Sequence, residues 1–466
     1  MNNAHSAKQI IATILLIILA TICLVVGWVM VQTVVFRYVY FRPIPEMHDW
    51  GGNATSGQPL KAYGRGIYDE HGNRVVFQGV NFGNWMINEG WMSTFGTVKR
   101  GADGLPESVN NEGVIESYEE NYHCETVELL EQRFGKQKAD ELFAAYQDSY
   151  ITEEDFVNVK NIGFNSIRLP VYYGNFLDKT ADGKYVLKDN AFAKLDWFLE
   201  QCKANDLYAI IDMHGALGGQ SGYEHSGTRS KDFWTNETYQ QVMADLWAAI
   251  ATRYMTERAD LSQAIGAYDL LNEPVDRDVS FTSAEQIAVM DKLYRAIRND
   301  AGDKDHLIAI EFCWTNSSCV TPDRHGWDNV IYECHPYNFN QGVLSNDLYY
   351  VGQDFLQSFS AYNVPYLMGE FTFFDAEEEW GKWLNEWDKR GHSWTVWSYK
   401  ITTPGWWDNS WGVYVYPMNL TDNKTKVDLK TASYEEILAD WSAQKTSEYY
   451  TTTGVLYKAM TSYFGK

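Results

Sequence analysis

The sequence predicts an α/β fold, a (β/α)8 TIM barrel, preceded by an N-terminal transmembrane helix. Eight apolar runs of strand length alternate with helical patterns across residues 75–399, as parallel strands joined by helices require. Two of those runs stop at a glutamate, in Leu270-Leu-Asn-Glu-Pro274 and Leu367-Met-Gly-Glu370, and α/β enzymes keep their chemistry at such strand ends. Residues 10–36 carry no charged side chain, a run longer than the roughly 20 residues that span a bilayer.

Taken in order, Lys8 precedes the uncharged run and Arg37 follows it, while Trp28 and Tyr38-Val-Tyr40-Phe41 read as an interfacial aromatic belt. The run exceeds a signal-peptide core and no small-x-small cleavage site follows, so a retained anchor is expected. The organisation is then a tail over 1–9, an anchor over 10–36, a polar, glycine-rich juxtamembrane linker over 37–61, and one barrel domain over 62–466. Basic residues flank the anchor on both sides, so charge does not set its orientation. Tyr68–Asn73 reads as a turn between two short strands, and Val75–Asn81 as the first barrel strand. Residues 86–150 read as a polar insertion with helices near 125–134 and 138–147. Thr152-Glu-Glu-Asp155 has capping-box spacing and opens a helix ending near Gly163. Strands follow at Phe164–Pro170, Leu207–Met213, Ile265–Leu271, Leu307–Phe312, Asn329–Cys334, Val364–Met368 and Ser393–Tyr399. A loop over 401–431 and helices over 434–441 and 447–463 complete the chain. A doubly wound sheet shares this alternation, but no dinucleotide fingerprint is present.

The 38 basic and 62 acidic residues give a net charge of −24, which argues against nucleic acid and anionic polymers as partners. The 18 tryptophans, 31 tyrosines and 22 phenylalanines exceed core needs and suit stacking on neutral sugar rings. The six cysteines have no zinc spacing, and Asp212-x-His214 lacks further ligands, so no metal or cofactor is expected. Cys313 and Cys319 are near enough in sequence to pair, which leaves the redox compartment open. Gly215–Gln220 lacks the lysine of a phosphate loop, and Ser226 and Ser398 have no nucleophile-elbow context. Sequons occur at Asn53, Asn236, Asn316, Asn419 and Asn423.

Two glutamates delivered to one mouth by two strands are the minimum apparatus for retaining cleavage of a glycosidic bond. Leu-Leu-Asn-Glu-Pro followed by Met-Gly-Glu resembles glycoside hydrolase family 5, and within it the exo-β-1,3-glucanases, over about residues 62–400. The resemblance implies that Glu273 is the acid/base and Glu370 the nucleophile. It sets Arg168 beside Glu370, keeping that carboxylate charged, and puts Asn272 on the 2-hydroxyl of the sugar. His335-Pro-Tyr337 matches the family's His-x-Tyr, the tyrosine orienting the nucleophile and the histidine touching sugar. His214 would bind the −1 sugar, with Trp397 as the floor beneath its ring. The loop 214–223 is similar to that of the exo-β-1,3-glucanases. Tyr223 would offer an aromatic face at the entrance, opposite Trp406, Trp407 and Trp411. Phe371 departs from the pattern, which has tryptophan there. The implied protein is a membrane-anchored retaining hydrolase with its catalytic domain outside the cell, releasing glucose from the ends of a neutral β-1,3-glucan. The alternatives are another β-glycan or a glycolipid as substrate, a glucan transglycosylase, and a non-catalytic carbohydrate-binding receptor.

Overall fold

A computed structural model describes residues 13–30, 59–109, 115–275, 284–312, 319–340, 342–359, 363–403, 411–417 and 426–465. Eight parallel strands close into a barrel in sequence order. They are β1 Gln78–Asn81, β2 Ser166–Tyr172, β3 Tyr208–Gly215, β4 Ile265–Asp269, β5 Ile308–Glu311, β6 Val330–Cys334, β7 Tyr366–Met368 and β8 Ser393–Val396. β8 returns to β1 through the Val396–Val80 pair, so the barrel leaves no open edge. The strand ends differ from the sequence reading by up to three residues. The change at β1 has a cause: Arg74–Val75 pairs with Gly66–Tyr68, which pairs in turn with Lys61–Tyr63.

Successive strand residues point to opposite faces, so every second one enters the barrel. Phe77, Ile210, Ala267, Ala309, Ile331 and Leu367 form one apolar cluster with Leu60 and Ile67 of the small sheet. Two positions further along the same strands stand Asp212, Asp269, Glu311, Glu333 and Gly369. An acidic layer thus lies above an apolar floor. The alternate positions, Leu169, Ile211, Tyr268, Ile310, Tyr332 and Met368, belong to the larger cluster packed against the surrounding helices. Much of the aromatic surplus is spent here: Trp85, Trp247, Trp380, Trp387, Trp394 and Trp441 are fully buried.

Helix Glu153–Ile162 has the expected start, with Asp155 accepting the Thr152 N–H at 2.7 Å, and ends at Gly163 with φ 121°. The insertion after β1 is not polar throughout, since Met86, Ile87, Met92, Phe95 and Val98 are buried; its two helices run longer than expected, as His123–Phe134 and Lys136–Tyr150. Two expectations beyond β8 are corrected. Lys400–Thr403 is not loop but pairs in parallel with Tyr414–Pro417. The helix expected over 447–463 is two, Thr446–Tyr449 and Val455–Tyr463, because Thr451 bridges to Val415 within a β-branched run that disfavours helix. Asn236 caps helix Glu237–Met255, accepting from the Thr238 and Tyr239 N–H groups. The other four sequons, Cys313 and linker residues 37–58 lie outside the described residues, while Leu60 and Lys61, expected in the linker, belong to the folded domain, buried in its core and opening a strand respectively. The helix Thr13–Met30 is long and apolar enough to cross a bilayer, and none of it is buried.

Candidate active site

The acidic layer opens at the carboxyl ends of the strands onto Glu273 and Glu370. Past β4 the chain turns at Asn272-Glu273-Pro274, and Glu273 takes φ 36°, a left-handed backbone that glutamate rarely adopts. The Glu273 N–H donates to Glu311 Oε2 at 2.6 Å. Both Glu273 oxygens meet imidazoles: Oε1 lies 2.9 Å from His335 Nδ1 and Oε2 lies 3.2 Å from His225 Nε2. Glu370 follows β7 and is held differently. Its Oε1 accepts from Arg168 Nη1 at 2.9 Å and its Oε2 accepts from the Tyr337 hydroxyl at 3.0 Å. One oxygen of Glu273 and one of Glu370 lie within 4.8 Å of each other.

Arg168, from β2, is fully buried and anchors the layer. It lies 3.2 Å from Asp212, 2.9 Å from Asp269, 3.1 Å from Glu333 and 2.9 Å from Glu370. Four carboxyls around one guanidinium leave an excess of acid, so protons must be shared among them. Burial lowers the Arg168 pKa, but the surrounding carboxyls outweigh it and hold the guanidinium firmly charged. Burial raises Asp212 to about 7 against the pull of Arg168, and raises Asp269 to about 6. Glu311 and Glu333 are pushed well above the carboxylate range, first by burial and then by neighbouring acids. Glu370 also rises to about 7, because burial exceeds the attraction of Arg168. The guanidinium therefore offsets the burial of Glu370 only in part, less than the sequence reading expected. Burial drops His214 to about 3 and His335 well below its ordinary value, so both stay neutral.

The structure brings most of the expected residues together. Asn272 Oδ1 accepts from Arg168 Nη2 at 2.8 Å, and its Nδ2 has no hydrogen-bond partner among the described residues. His214 Nδ1 is 2.6 Å from Asp212, its Nε2 is likewise unpartnered, and its ring stacks on Trp397 at 5.6 Å and 10°. His335 is fully buried, with Nδ1 2.9 Å from Glu273 and Nε2 3.4 Å from Glu333. Tyr223 is half-buried beside His225. Trp411 is buried and packs on Trp91, Tyr337 and Phe374, while Trp406 and Trp407 lie outside the described residues. Phe371 is fully buried 4.7 Å from Trp387, so the departure from tryptophan falls in the core.

The sequence reading missed Asp212 as an ion-pair partner, and also Asp269, Glu311, Glu333, His225 and Glu89. The first four carry a legible signal: one acid near the end of each of four consecutive apolar strands, β3 to β6. Register pairs them, Asp212 with Asp269 and Glu311 with Glu333. Glu89 is buried, accepts from Trp91 Nε1 at 2.8 Å, and is raised well above the carboxylate range by burial and by Glu224. Two sets, Glu273–His335–Glu370 and Glu311–Glu333–His335, bring ligand atoms within metal-binding distance. In both, His335 already meets a carboxyl and Arg168 supplies a cation to one member, so the donor set is built around guanidinium and protons.

Comparison with known proteins agrees with this geometry. A family model described as cellulase (glycosyl hydrolase family 5) matches residues 127–402, more than half of the chain. The chain is 28% identical over 284 residues to a "Beta-xylosidase" of Phanerodontia chrysosporium, covering 60% of this chain and 52% of that protein. It is 28% identical over 296 residues to a "Glucan 1,3-beta-glucosidase" of Candida oleophila, covering 61% of this chain and 63% of that protein. The match thus spans about half to two thirds of these relatives' length. The rutinosidase from Aspergillus niger superposes with a TM-score of 0.53 at 17% identity, over 72% of this chain and 95% of that one, a likeness of fold. With a closed eight-stranded parallel barrel and a glutamate at the mouth ends of its fourth and seventh strands, the chain belongs to glycosyl hydrolase family 5.

Proposed function

We propose that the protein is a retaining glycoside hydrolase in which Glu370 is the nucleophile and Glu273 the acid/base. The carrying observation is the pair of carboxyls with oxygens within 4.8 Å, the close spacing of double displacement rather than the wider gap that an inverting water needs. Their surroundings divide the labour. A guanidinium and a phenol direct both Glu370 oxygens, leaving its carboxylate to attack the anomeric carbon. Glu273, held by two imidazoles, gives its proton to the departing oxygen. The resulting glycosyl ester to Glu370 is opened by water, whose proton returns to Glu273. The unpartnered Asn272 Nδ2, a donor, and His214 Nε2 are the polar atoms offered to sugar hydroxyls, and Trp397 stacks on the His214 ring.

The substrate reading is a β-1,3-glucan cut from its chain end. It rests on the names of relatives such as the Candida oleophila protein and on the loop after β3. Gly218, Gly219 and Gly222 there have φ of 82°, 70° and 67°, which lets the loop backbone pack closely against Phe233, Ser230 and Lys231. The barrel domain is read as tethered outside the cell by the helix Thr13–Met30. A relative named for xylosidase activity at equal identity keeps β-xylosides as the second reading. Oligosaccharides of both sugars, given to the protein with products resolved by size and anomer, test this. Glucose is expected as the main early product from the β-1,3 oligomer, with its β-anomer formed first. Mixed long oligomers would indicate an open endo-acting cleft, and an inverted first product would remove the double displacement.

A further inference from the structure

We propose that Glu311 is a positioning residue for Glu273, an inference that rests on the acid/base reading above. Glu311 ends β5, a strand from which the mechanism above takes no residue. It is 1% exposed, and its Oε2 accepts the Glu273 N–H at 2.6 Å. That N–H belongs to a residue at φ 36°, a conformation that persists only where the surroundings over-determine it. The other oxygen, Oε1, lies 3.6 Å from His335 Nδ1, the same atom that sits 2.9 Å from Glu273 Oε1. Backbone and side chain of Glu273 are therefore indexed from one wall, by Glu311 directly and by the His335 that Glu311 abuts. The groups facing Glu311 are Glu333, Glu273 and Asp269, which raise it after burial has already done so, the His335 imidazole, and the Arg168 cation, which opposes them. What Glu311 gives the Glu273 N–H is an accepting oxygen. A carboxamide would do the same.

The test compares Glu311→Gln, Glu311→Leu and Glu311→Asp in the full chain, on two aryl β-glycosides of the sugar that the wild-type protein releases. The phenyl glycoside needs protonation on departure and the dinitrophenyl glycoside does not. Glu311→Gln is expected within about 3-fold of wild type on both, since its amide oxygen still accepts the N–H. Glu311→Leu should lose about 100-fold in kcat/KM on the phenyl glycoside, the scale of a mis-aimed catalytic group. It should lose much less in kcat/KM on the dinitrophenyl glycoside, since that ratio leaves out the later ester-opening step that Glu273 assists for both substrates. Equal losses on both substrates, or a Gln variant as poor as Leu, would overturn the proposal. If Glu311→Leu does not fold, Glu311→Asp, one methylene too short, must show the same split, and an equal loss there overturns it as well. Glu273→Ala run in parallel separates the two ideas: without a leaving-group split in that variant, the acid/base reading itself fails.

Discussion

Glu370 sits between a cation and a phenol, and Glu273 between two imidazoles, so the same substitution should act differently at each. Glu370→Gln removes the attacking carboxylate and is expected to lower turnover at least 10⁴-fold while leaving substrate binding measurable, because nothing else in the site forms the covalent bond. Glu273→Ala should cost about 10²–10⁴-fold on substrates with poor leaving groups and far less on activated aryl glycosides. Near-normal hydrolysis of a natural oligosaccharide by either variant would show that other carboxyls carry the reaction. The buried acids also make a statement about stability. Asp269 rises to about 6 from an unfolded value near 4, so between those pH values the folded chain binds the extra proton. Its contribution to stability is then fully present below about 4 and is lost as pH rises through about 6. Asp269→Asn should flatten the fall in thermal midpoint across that window relative to wild type, the buried histidines being common to both proteins. Identical slopes in calorimetry would contradict the shift.

At the scale of elements, the barrel interior is layered, and the layers explain one glycine. A Cβ on Gly369 would lie 1.6 Å from Glu333 Oε1 and 2.9 Å from His335 Nε2. β7 therefore offers the acidic layer no side chain at this level, and the space is taken by Glu333 from β6. Gly369→Ala is expected to destabilise by roughly 1–3 kcal/mol, the range for overpacking. It should also cost activity, because both displaced groups surround the catalytic pair. Wild-type activity with an unchanged melting temperature would mean that Glu333 has somewhere else to go. The tight pairing of motif and backbone also explains why Glu370 was easy to find in sequence: Met-Gly-Glu is an apolar strand end, a forced glycine and a carboxyl in succession.

For the whole molecule, the N-terminal helix and the barrel are separable readings. The small sheet Lys61–Val75 closes the barrel floor with Leu60 and Ile67, so the compact unit starts near residue 59. Removing residues 1–58 is expected to release a soluble protein with unchanged kcat, as judged by membrane fractionation and assay. Full-length protein found in the soluble fraction without proteolysis would argue against a retained anchor.

Sequence by itself determined the barrel, because alternating strand and helix periods record which faces are buried, and it singled out Glu273, Glu370, Arg168 and Tyr337 as candidates, because each sets a chemically distinctive group in or beside an apolar strand end. Only the tertiary structure decided what surrounds them. Asp212, Asp269, Glu311 and Glu333 are scattered over 122 positions of sequence, and closure of the barrel buries them in one layer, three of them directly on the Arg168 guanidinium. Their protonation follows from that crowding and from burial, neither of which a linear pattern records. The same holds for His335, whose motif does not record that its ring lies among Glu273, Glu311, Glu333 and Glu370.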